Sequence, residues 1–345
     1  MAKGKSALQP WLAKVATGKP LKEQEAAAAF RVLMTGAATP AEVGAFLMGL
    51  RVRGETVAEI TGAARVLRAK ARSVRAPAGA IDTCGTGGDA SGTLNISTAT
   101  ALVAAGAGVP VAKHGNRALS SKCGSADVLE ALGVNLEATP ARVSQAFRQA
   151  KVGFLFAPRH HQAMRHVAAI RKELAVRTIF NLLGPLANPA GAKRQLLGVY
   201  SPDWVVPMAH VLKKLGTTRA WVVHGKDGLD ELTTTTTSYV AALSGGRIRS
   251  FEVTPEDAGL ARAKASALKG GNARTNAKAI EQLLAGKTGP FRDIVLLNAA
   301  AALILAEKAR NLKQGAALAA DAIDTGRAAQ SLRKLVEITN AGKGT

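Results

Sequence analysis

Apolar residues follow two rhythms along this 345-residue chain. Short apolar runs bounded by glycine or proline read as buried parallel strands, while apolar positions at helical spacing read as amphipathic helices. Up to residue 75 only the helical rhythm is present, with Leu47, Leu50, Ile60 and Leu67 on one face. Thr39-Pro40-Ala-Glu42 combines an N-cap, a proline at the first helical position and a capping-box glutamate. Thr56-Val-Ala-Glu59 repeats the box, and Gly36 and Gly54 mark helix ends. Ala76-Pro-Ala-Gly79 then reads as a hinge, after which strands and helices alternate.

Strands are expected at the apolar run entering Asp82 and at residues 109–112, 152–156, 195–200 and 219–224. Ser244-Gly245-Gly246 predicts a hairpin between strands 238–243 and 247–253. Helices are expected at 97–105, from Ser125 to Gly133, from Thr139-Pro140, at 163–174, and before Gly216. Alanine-rich helices follow at 276–285, 294–308 and 322–337. Alternation of this kind predicts the α/β class: a large domain with a mostly parallel central sheet flanked by helices, plus a small all-helical N-terminal domain. The boundary falls at 75/76, giving domains 1–75 and 76–345.

Composition narrows the function classes. The net charge is +22, but Arg68 to Arg75, Arg159 to Lys172 and Arg262 to Lys278 are dispersed clusters rather than one block. A solvated basic surface explains this better than a nucleic-acid site, because aromatic residues for base stacking make up only 4%. The apolar run 294–306 is broken by Asn298 and too short to span a bilayer, so no membrane role is expected. No apolar segment of signal-peptide type follows Met1-Ala-Lys-Gly-Lys5, and a cytoplasmic location is expected. Cys84 and Cys123 are too few for a disulfide framework and read as packing residues.

The chemistry concentrates in residues 81–125. Gly85, Gly87 and Gly88 follow a short apolar run, where glycines let the backbone approach an anion. Asn95 and Ser97 are N-cap candidates for the next helix, whose N-terminus would face that loop. A second strand leads to a basic loop containing Lys113, His114, Asn116 and Arg117. Two anion cradles at the ends of neighbouring parallel strands are expected where such sheets bind ligands. No lysine completes a Walker motif, and no carboxylate between Gly106 and Lys113 could hold a dinucleotide ribose. Further on, Asp230-Glu231 leaves another strand end in a glycine loop, and such hard oxygen ligands suit Mg²⁺. The histidines at 160, 161 and 166 lack nearby cysteine or carboxylate partners at metal-ligand spacing.

Together Gly85-Thr-Gly-Gly-Asp89, Asn95-Ile-Ser-Thr98, Lys113-His-Gly-Asn-Arg117, Ser120-Ser-Lys-Cys-Gly-Ser125, Arg177-Thr-Ile-Phe-Asn-Leu-Leu-Gly-Pro-Leu186 and Gly228-Leu-Asp-Glu231 resemble the anthranilate phosphoribosyltransferases. The resemblance spans nearly the whole chain. It implies transfer of a 5-phosphoribosyl group from phosphoribosyl pyrophosphate (PRPP) to anthranilate in tryptophan biosynthesis, without an acid, base or nucleophile. By the same resemblance Gly85, Gly88, Asp89, Thr93, Asn95, Ile96, Ser97 and Thr98 contact the donor. So do Lys113, His114, Gly115, Asn116, Arg117, Ala118, Leu119, Ser120, Ser121 and Ser125. Gly85, His114, Asn116, His161 and Arg171 face the acceptor, and Ser97, Asp230 and Glu231 hold Mg²⁺, two ions per subunit.

A homodimer through the small helical domain is also implied, with a crossover near 170–190 completing that domain. Departures are Ala90 and Ala175 where the family usually has glycine, Leu94 where it often has phenylalanine, and Gln162 where it often has proline. Gln162 and Ala175 flank the acceptor region. A nucleoside phosphorylase-like enzyme would leave the Asp230-Glu231 pair without purpose. A non-catalytic nucleic-acid-binding relative would not need the intact motif set.

Overall fold

A computed structural model describes residues 7–118 and 122–342. Four helices come first: α1 (Gln9–Ala16), α2 (Glu23–Leu33), α3 (Pro40–Arg53) and α4 (Val57–Lys70). Then follow β1 (Ile81–Gly85), α5 (Ile96–Gly106), β2 (Val111–Gly115), α6 (Ser125–Ala131), α7 (Pro140–Gln149) and β3 (Val152–Phe156). The chain crosses back through α8 (Ala157–His160), α9 (Arg165–Leu174) and α10 (Phe180–Leu183). It re-enters the sheet as β4 (Arg194–Gly198), α11 (Val205–Lys214) and β5 (Arg219–Gly225), and adds the hairpin β6 (Ser238–Ser244) and β7 (Arg247–Val253). Helices α12 (Ala273–Leu284), α13 (Pro290–Leu305), α14 (Leu312–Asp324) and α15 (Arg327–Asn340) end it. Among the described residues no helix is long and apolar enough to cross a membrane.

The seven strands form one sheet in the order β3-β2-β1-β4-β5-β6-β7, with β1 to β5 parallel and the last two antiparallel. This is the expected α/β architecture, and the order reverses between β1 and β4. Such a reversal leaves a crevice at the carboxyl ends of the two strands. One face of the sheet buries Leu196 and Val223 against α5 and α13; the other buries Leu197, Val222 and Ala241 with α11 and the N-terminal helices.

Both expected capping boxes form. Thr39 Oγ1 accepts from Glu42 N, and Glu42 Oε2 accepts from Thr39 N at 2.9 Å. In the second box Glu59 is fully buried and also takes Leu21 N and the Arg53 guanidinium, at 2.9 and 2.5 Å. A local cap thus also ties α4 to the preceding turns. The crossover helices pack on this bundle: α9 meets α3, α10 meets α4, and the Phe180 ring lies 5.6 Å from that of Phe30.

Three expectations need correction. The strand expected at 109–112 runs from Val111 to Gly115, so Lys113 and His114 lie inside it. Pairing with Phe154 and Leu155 of β3 extends the ladder through these polar residues. The helix expected at 322–337 is two helices, because Gly326 adopts φ +73° between α14 and α15. Asn95 occupies the N-cap of α5 without capping it. Its Oδ1 instead accepts from Asn276 Nδ2 at 2.8 Å and Cys123 Sγ at 3.3 Å, linking α5 to α12 and to the turn before α6.

Two helical glycines separate packing from propensity. A Cβ on Gly62 would lie 2.3 Å from Glu23 O, whereas one on Gly44 meets nothing within 4 Å. Replacing glycine by alanine in a helix ordinarily stabilises by about 0.5–1 kcal/mol. Gly44→Ala should therefore raise the urea midpoint. Gly62→Ala should lower it, because forcing α2 off α4 costs roughly 1–3 kcal/mol. Equal shifts in the two variants would contradict this account of the α2–α4 contact.

Candidate active site

Strands β1, β2, β4 and β5 each end in glycine, at Gly85, Gly115, Gly198 and Gly225. At the reversal point the missing side chains make room for another element. A Cβ on Gly85 would stand 2.3 Å from Asp230 Oδ2, and one on Gly198 would stand 1.5 Å from Asp230 O. Asp230 is therefore wedged into the crevice between β1 and β4. Asn298, on α13, fixes the turn from behind: Leu232 N donates to its Oδ1 at 3.1 Å, and its Nδ2 donates to Leu232 O at 2.8 Å.

Glycine-loop groups converge on Asp230. Gly87 N donates to Asp230 Oδ2 at 2.8 Å, and Asp230 N approaches Asp89 Oδ2 at 3.4 Å. Farther along the loop, Leu94 N donates to Leu268 O, Gly270 N donates to Gly92 O, and Thr93 bridges Lys269. Gly87 and Gly88 have φ of +65° and +75°, and so does Ala90 at +58°. Ala175, the other alanine at a usual glycine position, is likewise left-handed at +51°. The backbone has kept the glycine conformation at both departures, at a cost of about 1–2 kcal/mol each.

Electrostatics explain why these groups stay together. Lys113 is buried on β2, where its Nζ donates to Thr83 O at 2.6 Å and to Ser97 Oγ at 3.3 Å. Burial lowers its pKa, opposed by the nearby charges of Asp82, Glu231 and Asp230. Asp82, fully buried, is raised by desolvation and held by Asn188 Nδ2 at 2.7 Å and His114 N at 3.2 Å. Burial and the Asp89 charge push Asp230 up to about 7. Glu231 is raised well above the usual range by burial and Asp230, although Lys113 and the Ser97 N–H favour its ionised form. The cluster is thus short of positive charge.

That shortage is the test of a divalent cation. Among the described residues no set of three or more His, Cys, Asp or Glu side chains forms a metal cage. Asp230, Glu231 and the Ser97 hydroxyl offer oxygen only, which suits Mg²⁺ completed by water and substrate phosphates. The residues present fit the ion.

Other expected site residues fall into separate groups. Ile96 and Thr98 turn their side chains into the core, each 1% exposed, leaving only backbone for a ligand. Asp127 Oδ2 accepts from both Ala118 N and Gly124 N, at 2.9 and 2.8 Å, so the Ala118 N–H is engaged within the loop. Arg117 pairs with Glu130 and Asp127, which raise its pKa, and lies 5.7 Å over Phe156. Ser125 Oγ donates to Asn116 O at 3.3 Å in space left by Gly115, while Asn116 Oδ1 accepts from Arg117 N. Leu119, Ser120 and Ser121 lie outside the described residues.

Of the residues expected to face the acceptor, Arg171 lies 5.0 Å over the Phe180 ring, and among the described residues no carboxylate pairs with it. Burial lowers its pKa. The His114 and His161 rings meet edge to face at 5.2 Å. His114 Nδ1 lies 3.2 Å from Gly184 O and so carries the proton there, while among the described residues the buried Nε2 atoms of both rings have no partner. The thiols are closed to nucleophilic use: burial pushes Cys84 well above its usual range and Cys123 up to about 11.

Sequence reasoning gave no role to Asp82, Asp127, Asn188 or Tyr200, and met Arg177 only as the first residue of a family motif. It noticed Asn298 only as a break in an apolar run, and that break was the signal: a lone amide in a buried helix needs a polar partner.

A pH response follows from the histidines. Burial, with the neighbouring imidazole charge next, pulls His114 down to about 3 and His161 to about 4, from 6.5. Both are neutral when folded, and the unfolded chain binds protons below pH 6.5 that the fold excludes. Their contribution is complete above that pH and is lost as pH falls toward 4 and 3. Raised carboxylates such as Asp230 act in the opposite sense over the same range, so the histidine share is read by difference: between pH ~7.5 and ~5 the urea midpoint of His161→Gln should fall less, relative to its own value at pH ~7.5, than that of the parent chain. An identical drop in the variant would exclude His161 as a source.

Comparison with known proteins agrees with this geometry. The helical-bundle domain of the glycosyl transferase family matches residues 9–71, and its a/b domain matches residues 78–329. The anthranilate phosphoribosyltransferase of Parvibaculum lavamentivorans is 62% identical over 95% of this chain and 96% of its own. A Thermus thermophilus anthranilate phosphoribosyltransferase superposes with TM-score 0.91 at 48% identity, covering 96% of this chain and 99% of its own. The Saccharomyces cerevisiae enzyme in complex with PRPP and Mg gives TM-score 0.89 at 28% identity, covering 98% and 99%. With two family domains matched in order and relatives aligned nearly end to end, the chain belongs to the anthranilate phosphoribosyltransferases of the glycosyl transferase family.

Proposed function

We propose that the chain transfers the 5-phosphoribosyl group of PRPP to the amine of anthranilate, giving N-(5-phosphoribosyl)anthranilate and pyrophosphate, in tryptophan biosynthesis. The observation that carries this reading is the charge-deficient carboxylate pair at the sheet's reversal point, beside a glycine loop and a buried lysine. Complexes of the yeast relative with PRPP and Mg and with 4-fluoroanthranilate support both substrates. Catalysis takes place at the crevice, between a domain formed by residues 1–75 with the crossover and a domain formed by 76–345. The chain works in the cytoplasm as a homodimer joined through the small helical domain.

In this mechanism no side chain becomes bonded to substrate. Two Mg²⁺ ions, one held by Ser97 and one by Asp230 and Glu231, would neutralise charge developing on the leaving pyrophosphate. Gly85, Gly88, Asp89, Thr93 and Asn95, with the backbone of Ile96 and Thr98, line the donor on one side. Lys113, residues 115–121 and Ser125 line it on the other. Arg171 pairs with the anthranilate carboxylate, a charge-assisted contact. His114, its ring held by the Nδ1 bond to Gly184 O, shapes the acceptor route with His161, Asn116 and Gly85. An aromatic amine is neutral at physiological pH, so orientation and leaving-group stabilisation suffice.

Loss of anthranilate fluorescence on adding PRPP and Mg²⁺ reads the reaction directly. Replacing Asp230 and Glu231 together by alanine should slow turnover by about a thousandfold, corresponding to ~4 kcal/mol of lost stabilisation. Turnover unchanged in that variant would remove the metal assignment. Arg171→Ala should raise KM for anthranilate about ten- to a hundredfold and leave KM for PRPP in place, as loss of one charged contact predicts. A parallel rise in both constants would place Arg171 elsewhere.

A further inference from the structure

Arg177 is absent from every role assigned so far, yet it touches the centre of the donor loop. It leaves the crossover two residues after Ala175, whose left-handed backbone at φ +51° ends α9. Its Nη2 donates to the carbonyl of Gly88, and its Cζ lies 4.4 Å above the Tyr200 ring. Tyr200 is itself fixed: its N donates to Thr86 Oγ1 at 3.1 Å, and its hydroxyl accepts from Trp204 Nε1 at 3.1 Å. Thr86 N in turn donates to Gly198 O at 2.9 Å, at the end of β4. The guanidinium is therefore a strut between the crossover, the end of β4 and the glycine loop.

Resting on the donor reading above, we propose that Arg177 is a positioning residue: by fixing the Gly88 carbonyl it aims the Asp89 N–H into the phosphate cradle. The reason is peptide geometry. In a trans peptide the carbonyl of one residue and the N–H of the next point in opposite directions. Drawing the Gly88 oxygen toward the exposed Arg177 turns the Asp89 N–H away from it. Asp89 lies beside Asp230 on the crevice side, where its Oδ2 meets Asp230 N. The Thr86–Gly87 unit is set as well, since Gly87 N donates to Asp230 Oδ2. Glycines at 87 and 88 rotate freely, so without the strut the Gly88–Asp89 unit can flip and offer its carbonyl to the donor anion. A solvated arginine would do none of this. A charged donor on a carbonyl, stacked within about 6 Å of an aromatic ring, resists that flip.

The test compares Arg177→Met, Tyr200→Leu, Tyr200→Phe and the Arg177→Met/Tyr200→Leu double variant, measuring turnover, calorimetric PRPP affinity and melting temperature. Arg177→Met should weaken PRPP binding about ten- to a hundredfold, the worth of one hydrogen bond to a charged group. The anthranilate KM should stay within about twofold, which a general loosening of the fold would not allow. Tyr200→Leu should shift PRPP affinity in the same direction, Tyr200→Phe should retain it, and the double variant should be no worse than Arg177→Met. Unchanged PRPP affinity in Arg177→Met, or additive losses in the double variant, would overturn the proposal. A wild-type chain that binds PRPP without consuming anthranilate would refute the acceptor reading instead. The affinity comparison would still decide the role of Arg177.

Discussion

A carboxylate can enter the end of a parallel sheet only where the strands leave a gap and nearby charge offsets its desolvation. Here Gly85 and Gly198 leave the gap, and Lys113 supplies the charge from the neighbouring strand. Asp230 could not occupy its place if either strand ended in a residue with a side chain. Once it is there, the glycine loop has a fixed acceptor at Gly87, and Glu231 is carried to the N-terminus of α5. The offset is incomplete, because three carboxylates, Asp82, Asp230 and Glu231, share one buried ammonium. That residual charge makes the crevice receptive to a cation.

The second constraint is that the crossover serves two masters. Residues 157–190 leave β3, pack against α3 and α4, and return to β4 beside the reversal point. Arg171 and Arg177 lie on this excursion, one above Phe180 and the other above Tyr200. One segment therefore carries both the arginine proposed to meet the acceptor and the one that touches the glycine loop, and its path is set by apolar burial of Val167, Ile179 and Phe180 in the bundle core. Binding geometry at the sheet depends on packing in the helical layer.

Most of the architecture was legible because local signals agree with the global arrangement. The two capping boxes, the Ser244-Gly245-Gly246 hairpin and the apolar run at Val152–Phe156 each formed where the residues placed them. Two of the three errors share a cause, a distant partner that overrode a local rule; the third, the break at Gly326, is local. Lys113 and His114 look like loop residues until β3 pairs with them. Asn95 has the chemistry of a cap, but Asn276 lies 181 residues away and claims its oxygen. At the site, motifs identified Asp230 and Glu231, yet nothing local revealed that Gly85 and Gly198 are small to admit them. The contacts of Arg177, Asp82 and Asn188 were invisible for the same reason, since the partners lie far along the chain.

The same long separations impose an order on synthesis. Gly87 is 143 residues from Asp230, and Thr93 is joined to Lys269. Leu232 waits for Asn298. A ribosome releasing the chain from its N-terminus delivers the glycine loop long before anything that can hold it. The N-terminal helices can form early, but their lasting core also needs Phe180 and the sheet face. During that interval the loop's unmatched amides and the apolar end of β1 remain open to whatever the cell provides. The glycine loop of the crevice is consequently among the first parts to be made and among the last to exist.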